Sequence, residues 1–393
     1  MKILFFNFTN GVHAYASRDP RAVGGAERQQ WYLARSLASA GWEVVVGVLG
    51  DSNAVDGEII DNVRFAKLPT YRGLLAPVKR FVALYRLLRC EAPDWLYWRC
   101  ASYLFGPAVA IAKIANVKIV FAAAFDTDVQ PRRALTERRA LWPLYSWGLS
   151  RCERILVQHN GQLHALPAKL QSKAAIVRST IDLPQRVNRH LEREPYVAWV
   201  GMLRQPKRPD LLLKIATRAQ HLRFKVCGGI TDHRTPEGFG TLVAERLAKL
   251  PNIEYLGQVA PSAATEVIAN AAALLCTSDG EGFPNTFLEA WANGTSVVSL
   301  MVDPDQILTR FQLGCLSLNI EKAADDLSRL VGSAQQREEI SDRAREYVYK
   351  HHRIGLVSMV FESALGINRE KNEYAGGIET TDTNPLQHTV KIK

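Results

Sequence analysis

The stretch that most restricts the fold lies between residues 271 and 300. An apolar run, Ala271 to Cys276, is followed by a glycine-bearing loop, Ser278-Asp279-Gly280-Glu281-Gly282-Phe283. Pro284-Asn285-Thr286-Phe287-Leu288-Glu289-Ala290 then has the composition of a helix, and Thr295 to Leu300 forms a second strand-like run. Two buried strands joined through one helix read as a parallel βαβ unit. Gly280 and Gly282 permit a tight turn and a close backbone approach to a ligand. Pro284 suits the first turn of the helix, where the amide it lacks would be unpaired anyway. The helix is expected to run to about Asn293, with Gly294 as its C-cap. A loop feeding a helix N-terminus at the carboxyl end of a parallel strand leaves backbone amides aimed at one place, which is an anion site.

Two carboxylates flank that site. Glu281 stands in the loop, and Glu289 lies in the second turn of the helix with its side chain leaning back toward the N-terminus. Such a frame suits a molecule with a diphosphate in the middle and hydroxyls at both ends, as in a nucleotide sugar. The plainer reading is a solvated loop glutamate and an ordinary helix glutamate. The agreement of spacing, glycines and proline favours the site.

The motif Glu281-x7-Glu289, within Glu-Gly-Phe-Pro-Asn-Thr-Phe-Leu-Glu-Ala, resembles the signature of the retaining glycosyltransferases of family four. The resemblance implies an α/β fold called GT-B: two Rossmann-like, doubly wound domains facing each other across a cleft. It further implies that Glu281 contacts hydroxyls of the transferred sugar and Glu289 the ribose. Backbone groups of Gly282, Phe283, Asn285 and Thr286 would receive the phosphates. The donor would be a UDP- or GDP-sugar, and members of the family generally work with no metal and no cofactor.

A chain of 393 residues with 47% hydrophobic content has material for two packed cores. Its six cysteines lack C-x-x-C spacing and read as reduced, buried residues of a cytoplasmic protein. Met1 to Phe8 is too short an apolar run for a signal peptide, and no stretch reaches membrane-spanning length. The net charge of +10 is uneven: residues 1–190 hold 26 Lys and Arg against 14 Asp and Glu, whereas the remainder holds 23 against 25. The first half is therefore expected to face an anionic partner: nucleic acid, or else a phosphate-linked acceptor or an anionic membrane surface.

In chain order, Lys2 to Asn7 reads as a strand. A long loop ends in Val23-Gly24-Gly25-Ala26-Glu27, and a helix runs from there to about Ala40. The pair Gly24-Gly25 is a second anion-cradling element, and by the resemblance it faces the donor phosphates. Strands are expected at Glu43–Leu49, Asp94–Trp98, Val117–Ala122, Arg154–Gln158 and Ala175–Arg178. Helices are expected at Leu74–Arg89, Tyr103–Ala115, Arg132–Trp147 and Asn160–Leu170. The basic, aromatic segments Leu74–Arg89 and Arg132–Trp147 read either as ordinary domain helices or as interfacial ones. This alternation gives a doubly wound domain over 1–183, which by the resemblance would bind the acceptor, and a linker over 184–195.

A donor-binding domain over 196–350 follows, with strands at Tyr196–Gly201, Phe224–Cys227, Ile253–Leu256, Leu274–Cys276 and Val297–Leu300. A terminal helix over 351–366 is expected to pack back on the first domain. Residues 367–393 form a polar tail.

A departing diphosphate needs positioned cations. Arg204, Lys207 and Arg208 stand in the loop after the first strand of the second domain. The family pattern is Gly-Arg-x-x-x-x-Lys-Gly; Gly201 and Lys207 match, Met202 replaces the arginine and Arg208 the glycine. Lys207 is the firm phosphate candidate, with Arg204 or Arg208 as the second charge. Cys227-Gly228-Gly229 and Leu256-Gly257-Gln258 are candidates for the base pocket. Asp126-x-Asp128 and Asp303-x-Asp305 imitate a metal-binding motif but read better as capping and turn aspartates. Asp126, and more weakly His13, are candidates for orienting the acceptor. The expected partners are a nucleotide-sugar donor and a glycan or lipid-linked acceptor, with no nucleic acid. The competing readings are a sugar-nucleotide epimerase, a non-catalytic binder of the same fold and a basic nucleic-acid-binding protein. The last leaves Glu281, Glu289 and Lys207 without a reason to converge.

Overall fold

The computed structural model describes residues 1–367 apart from Asn7, Asp51, Arg72, Leu74, 136–137 and 232–234. All of the polar tail but Ile367, and the first residue of the expected helix Leu74–Arg89, lie outside these.

The first sheet contains β1 (Lys2–Phe5), β2 (Glu43–Leu49), β3 (Ile59–Ile60), β4 (Val63–Leu68), β5 (Trp95–Arg99), β6 (Lys118–Ala122), β7 (Arg154–Val157) and β8 (Ala174–Ile176). Their spatial order is β3-β4-β2-β1-β5-β6-β7-β8. The second sheet contains β9 (Tyr196–Val200), β10 (Arg223–Cys227), β11 (Ile253–Gly257), β12 (Ala273–Cys276), β13 (Ser296–Ser299) and β14 (Gly314–Leu316). Its order is β11-β10-β9-β12-β13-β14. Every pairing is parallel except β3 with β4. Both faces of each sheet are covered, which explains the near-continuous apolar strands: β1, β5 and β12 are buried almost throughout.

Each order reverses once, at β1/β5 in the first sheet and at β9/β12 in the second. Crevices outside the carboxyl ends of strands at such reversals are where open α/β sheets bind ligands. The two crevices here face one another.

Several elements differ from the sequence expectation. Helix Gly11–Ala16, the β3–β4 hairpin and β14 were not anticipated. The stretch Arg132–Trp147 is broken into a turn of helix, Pro131–Ala134, and a helix Trp142–Arg151 with Pro143 in its first turn. Asn160–Leu170 divides before Pro167 into Asn160–Ala165 and Ala168–Gln171. Pro284 lies one residue before the helix Asn285–Ala292, as its N-cap, rather than within it. Cys152, Cys227 and Cys276 are buried, whereas Cys90 is exposed, contrary to the expectation for all six.

After β8 the chain crosses to the second domain, where its linker is held down. Arg193 donates to the carbonyls of Asn293 (2.6 Å) and Asn188 (2.9 Å) and to Thr295 Oγ1 (2.8 Å). The chain then returns. Ile181 N donates to His352 O (2.8 Å), and Ile354 N donates to Ile181 O (3.1 Å), so the two crossings pair side by side. Beyond them, helix Ile354–Ala364 lies on the first domain, burying Val357, Phe361 and Leu365 in its core. Trp42 Nε1 donates to Glu362 Oε1 (2.6 Å) at the same contact.

Candidate active site between the domains

A cavity of about 250 Å³ lies between the two crevices. The first domain lines it with the loop and first turn of helix Gly25–Ser39, with Arg99 at the end of β5, and with Ala124, Phe125 and Gln158. The second domain contributes the loops after β9, β10 and β12 and the start of helix Asn285–Ala292.

Gly24 has φ 104°, a conformation that favours glycine, and it turns the chain into helix Gly25–Ser39 so that the helix N-terminus faces the cavity. The buried stripe Trp31, Leu33, Ala34, Leu37 and Ala38 fixes the helix on its sheet. Opposite, Lys207 ends a short 3₁₀ turn, Gln205–Lys207. Its position is set by a buried relay in which Trp199 Nε1 donates to Thr277 Oγ1 (2.9 Å) and that hydroxyl donates to Lys207 O (2.7 Å). The Lys207 ammonium is paired with the Glu281 carboxylate. Both line the cavity.

Gly282 is one of the places where the two domains meet closely. A Cβ there would lie 2.2 Å from Ala124 O and 2.2 Å from Gln158 Oε1. Gln158 is itself anchored by Ser179 Oγ (2.8 Å). Gln29 Nε2 donates to Asn285 Oδ1 (2.8 Å), adding a second tie across the cleft.

Glu289 is buried at 4% exposure, and a buried carboxylate needs partners. Among the described residues it has two, both on Oε1. Thr265 Oγ1 donates at 3.1 Å, and Arg28 Nη1 donates from the opposite domain. Burial works against the charge on Arg28, but the Glu289 carboxylate outweighs it and holds the guanidinium firmly protonated. Beside this pair, burial pushes the Tyr15 hydroxyl up to about 12.

Of the residues singled out in the sequence, Gly24, Gly25, Arg204, Lys207, Glu281, Phe283, Asn285, Thr286 and Glu289 line the cavity, as do Cys227, Gly228, Gly229 and Gln258. Arg208 is not among them. It adopts φ 49°, and its guanidinium is bound by Asp210 (2.9 Å) and Asp279 (2.9 Å). Asp126 also stays outside the lining. It accepts from Gln162 Nε2 (3.1 Å) and pairs with His159 Nε2 (2.9 Å), while its neighbours Ala124 and Phe125 face the cavity. His13 is buried against Phe65 and bonded to Glu58 (2.9 Å), away from the site. Gly282 serves as the contact between domains rather than as part of the lining.

The paired aspartates have structural work. Asp128 accepts from the amides of Ala124 (2.8 Å) and Phe125 (3.1 Å). Asp303 accepts from Leu308 N (2.7 Å). Asp305 reaches across the cleft and accepts from Asn160 N (2.8 Å), Asn160 Nδ2 (2.9 Å) and Gly161 N (3.0 Å). Burial raises its pKa less than these bonds lower it, so its carboxyl lies well below the usual range. His159 sits between Asp126 and Asp305. Burial disfavours its charge, yet the two carboxylates raise it to about 9.

Sequence reasoning missed Arg28, Thr265, Arg99 and Gln158. Arg28 carried one usable signal: it follows the Gly24-Gly25-Ala26-Glu27 element by one position, in the first turn of the same helix.

Two family models match the chain. Residues 23–185 match "Glycosyltransferase Family 4", and residues 194–333 match "Glycosyl transferases group 1". No curated protein matches it. The fold is shared with sucrose-phosphate synthase from Thermosynechococcus elongatus, at TM-score 0.75 and 14% identity over 92% of this chain and 98% of that one. Anabaena HepE, solved with UDP and glucose, superposes at TM-score 0.72 and 12% identity, covering 93% and 99%. The lipopolysaccharide outer core galactosyltransferase WaaB superposes at 0.63 and 17% identity, covering 93% and 99%. The chain belongs to the family-four, group-1 glycosyltransferases of GT-B fold.

Proposed function

We propose that the protein transfers a sugar from a UDP- or GDP-sugar to an acceptor hydroxyl with retention of anomeric configuration. The acceptor class is a glycan or a lipid-linked glycan, as in bacterial polysaccharide or glycolipid assembly. The observation that carries this reading is the convergence of Lys207, Glu281 and Glu289 with two glycine loops around one interdomain cavity.

In this reading, the diphosphate lies between Gly24-Gly25 and the start of helix Asn285–Ala292. An arriving phosphate exchanges places with Glu281 on Lys207, which frees the Glu281 carboxylate to accept from sugar hydroxyls. Lys207 and Arg204 stabilise the charge that builds on the leaving diphosphate, the main catalytic contribution. Glu289 accepts from the ribose, and the Cys227–Gly229 and Gln258 walls take the base. The reaction needs no metal in this reading, and the bonds made by Asp128, Asp303 and Asp305 account for the paired aspartates without one. HepE, whose structures hold UDP, glucose or UDP-glucose, supports the donor class.

The test is thermal stabilisation by UDP, GDP and their sugars, on the wild type and on Lys207→Ala. A clear shift with one nucleotide, lost in the variant, is expected. The absence of any shift, alongside salt-sensitive binding of DNA or RNA, would replace this reading with the nucleic-acid one.

The acceptor side suits work at the inner face of a membrane. No helix among the described residues is long and apolar enough to cross one. Helix Ala76–Glu91, however, leaves Val78, Val82 and Tyr85 exposed in a stripe that continues from Leu75, bordered by exposed Lys79, Arg86 and Arg89. Cations beside an apolar stripe fit an anionic bilayer surface. Co-sedimentation with anionic vesicles, weakened by Val78→Asp, is the expected result; equal binding to neutral vesicles would contradict it.

A further inference from the structure

Glu289 is held from the far side of the cleft. Its Oε1 receives both the Thr265 hydroxyl and the Arg28 guanidinium, and among the described residues Oε2 receives no hydrogen bond. A carboxylate offers about four acceptor sites, so a diol can bind Oε2 while Arg28 stays in place.

We propose that Arg28 is a positioning residue for the donor, through which the acceptor domain orients Glu289 toward the ribose and ties nucleotide binding to a closed cleft. The inference rests on the reading of this cavity as a nucleotide-sugar site.

Three observations carry it. The Glu289 side chain is buried at 5% exposure, and that of Arg28, at 14%, is largely withdrawn from solvent. Neither charge is tolerable there without the other. Without Arg28, a bare buried carboxylate would stand beside an incoming diphosphate, so the pair also removes a repulsion. Arg28 and its support are, moreover, on one rigid turn. Gln29, the next residue, accepts from Thr180 N (2.8 Å) and donates to Thr180 O (2.8 Å), where the chain crosses between the domains. The helix turn that grips Glu289 is thus bolted to the crossing point. If the cleft opens, Arg28 withdraws, and Glu289 keeps only the Thr265 hydroxyl.

The test separates the ribose from the rest of the nucleotide. Dissociation constants are measured for UDP and GDP, and for the 2′,3′-dideoxy form of whichever binds, on the wild type, Arg28→Ala and Arg28→Lys. Circular dichroism confirms that each variant is folded. Hydrogen bonds to a charged partner set the scale, so the wild type should prefer the ribonucleotide by about tenfold or more. In Arg28→Ala the ribonucleotide should weaken by about tenfold and the preference should collapse toward one. Arg28→Lys, which keeps the buried charge and loses the forked donor, should fall between them. A preference unchanged in both variants overturns the proposal, as does an equal weakening of both nucleotides, which would put Arg28 on the phosphates or on the fold. A wild type that binds neither nucleotide removes the functional reading itself, and this proposal with it.

Discussion

Replacing Gly282 by alanine should disable the protein without unfolding it. The added Cβ would stand 2.2 Å from the Ala124 carbonyl oxygen and 2.2 Å from Gln158 Oε1. Ordinary contacts are well over 3 Å, so the loop must retreat by about 1 Å. The Ala124 oxygen is backbone at the end of β6 and cannot swing aside. The cheapest relief is for the two domains to part at this point, since they meet there with no shared strand. Stability should therefore change little, while the geometry between Lys207, Glu281 and the first-domain loops is lost. A misplacement of about 1 Å costs on the order of 100-fold in rate. Gly280, two residues away in the same loop, has nothing within 4 Å of its own would-be Cβ and is the matched control. The assay is nucleotide release from the sugar donor, with melting temperature measured in parallel. Gly282→Ala should lose about 100-fold in kcat/KM at a nearly unchanged Tm, and Gly280→Ala should lose less than about threefold. Equal activity of the two alanine variants would refute the reasoning.

Two further outcomes concern stability. His159, bonded to Asp126 and Asp305, has its pKa raised from 6.5 to about 9, so its contribution is complete below pH 6.5 and disappears as pH rises through about 9. At about 1.4 kcal/mol per pH unit the ceiling is about 3 kcal/mol; the Tm gap between wild type and His159→Gln should be widest near pH 6 and closed by about pH 9.5, and a gap that grows with pH would contradict the assignment. Phe361, fully buried between the terminal helix and the first domain, should cost about 3–5 kcal/mol on replacement by alanine. Chemical denaturation should show the loss in the first domain's transition, even though residue 361 follows the whole second domain in sequence.

Much of this architecture was written in local patterns. Strand β2 was legible to the residue, because Glu43 to Leu49 is an apolar run opened by Gly41 and closed by Gly50. Gly294 was legible as a C-cap and has φ 70°. The β3–β4 hairpin and β14 were less visible, since β3 is two residues long and β14 three, too short for any period to declare itself. Prolines 143 and 167 were underweighted against an apparently continuous helical pattern.

At the site, the sequence pointed to what lies within one loop or one helix: Lys207, Glu281, Glu289 and the glycines. It did not point to Arg28, whose partner is 261 positions away. An arginine in the first turn of an amphipathic helix reads as solvated, and only the approach of the second domain makes it a buried ion. Arg208 shows the opposite pattern, for an aspartate two residues on holds its guanidinium locally.

The side-by-side crossings at Ile181 and His352–Ile354 bear on how such a chain can be recombined. An exchange of the first domain made by splicing at the linker would transplant the first 183 residues and leave the terminal helix behind. That helix would then present Val357, Phe361 and Glu362 to a surface they were not shaped for. A working hybrid has to take two separate pieces from the same parent, the first domain and residues 352–367. Inheritance of the first domain's packing is thus discontinuous along the gene, though contiguous in space.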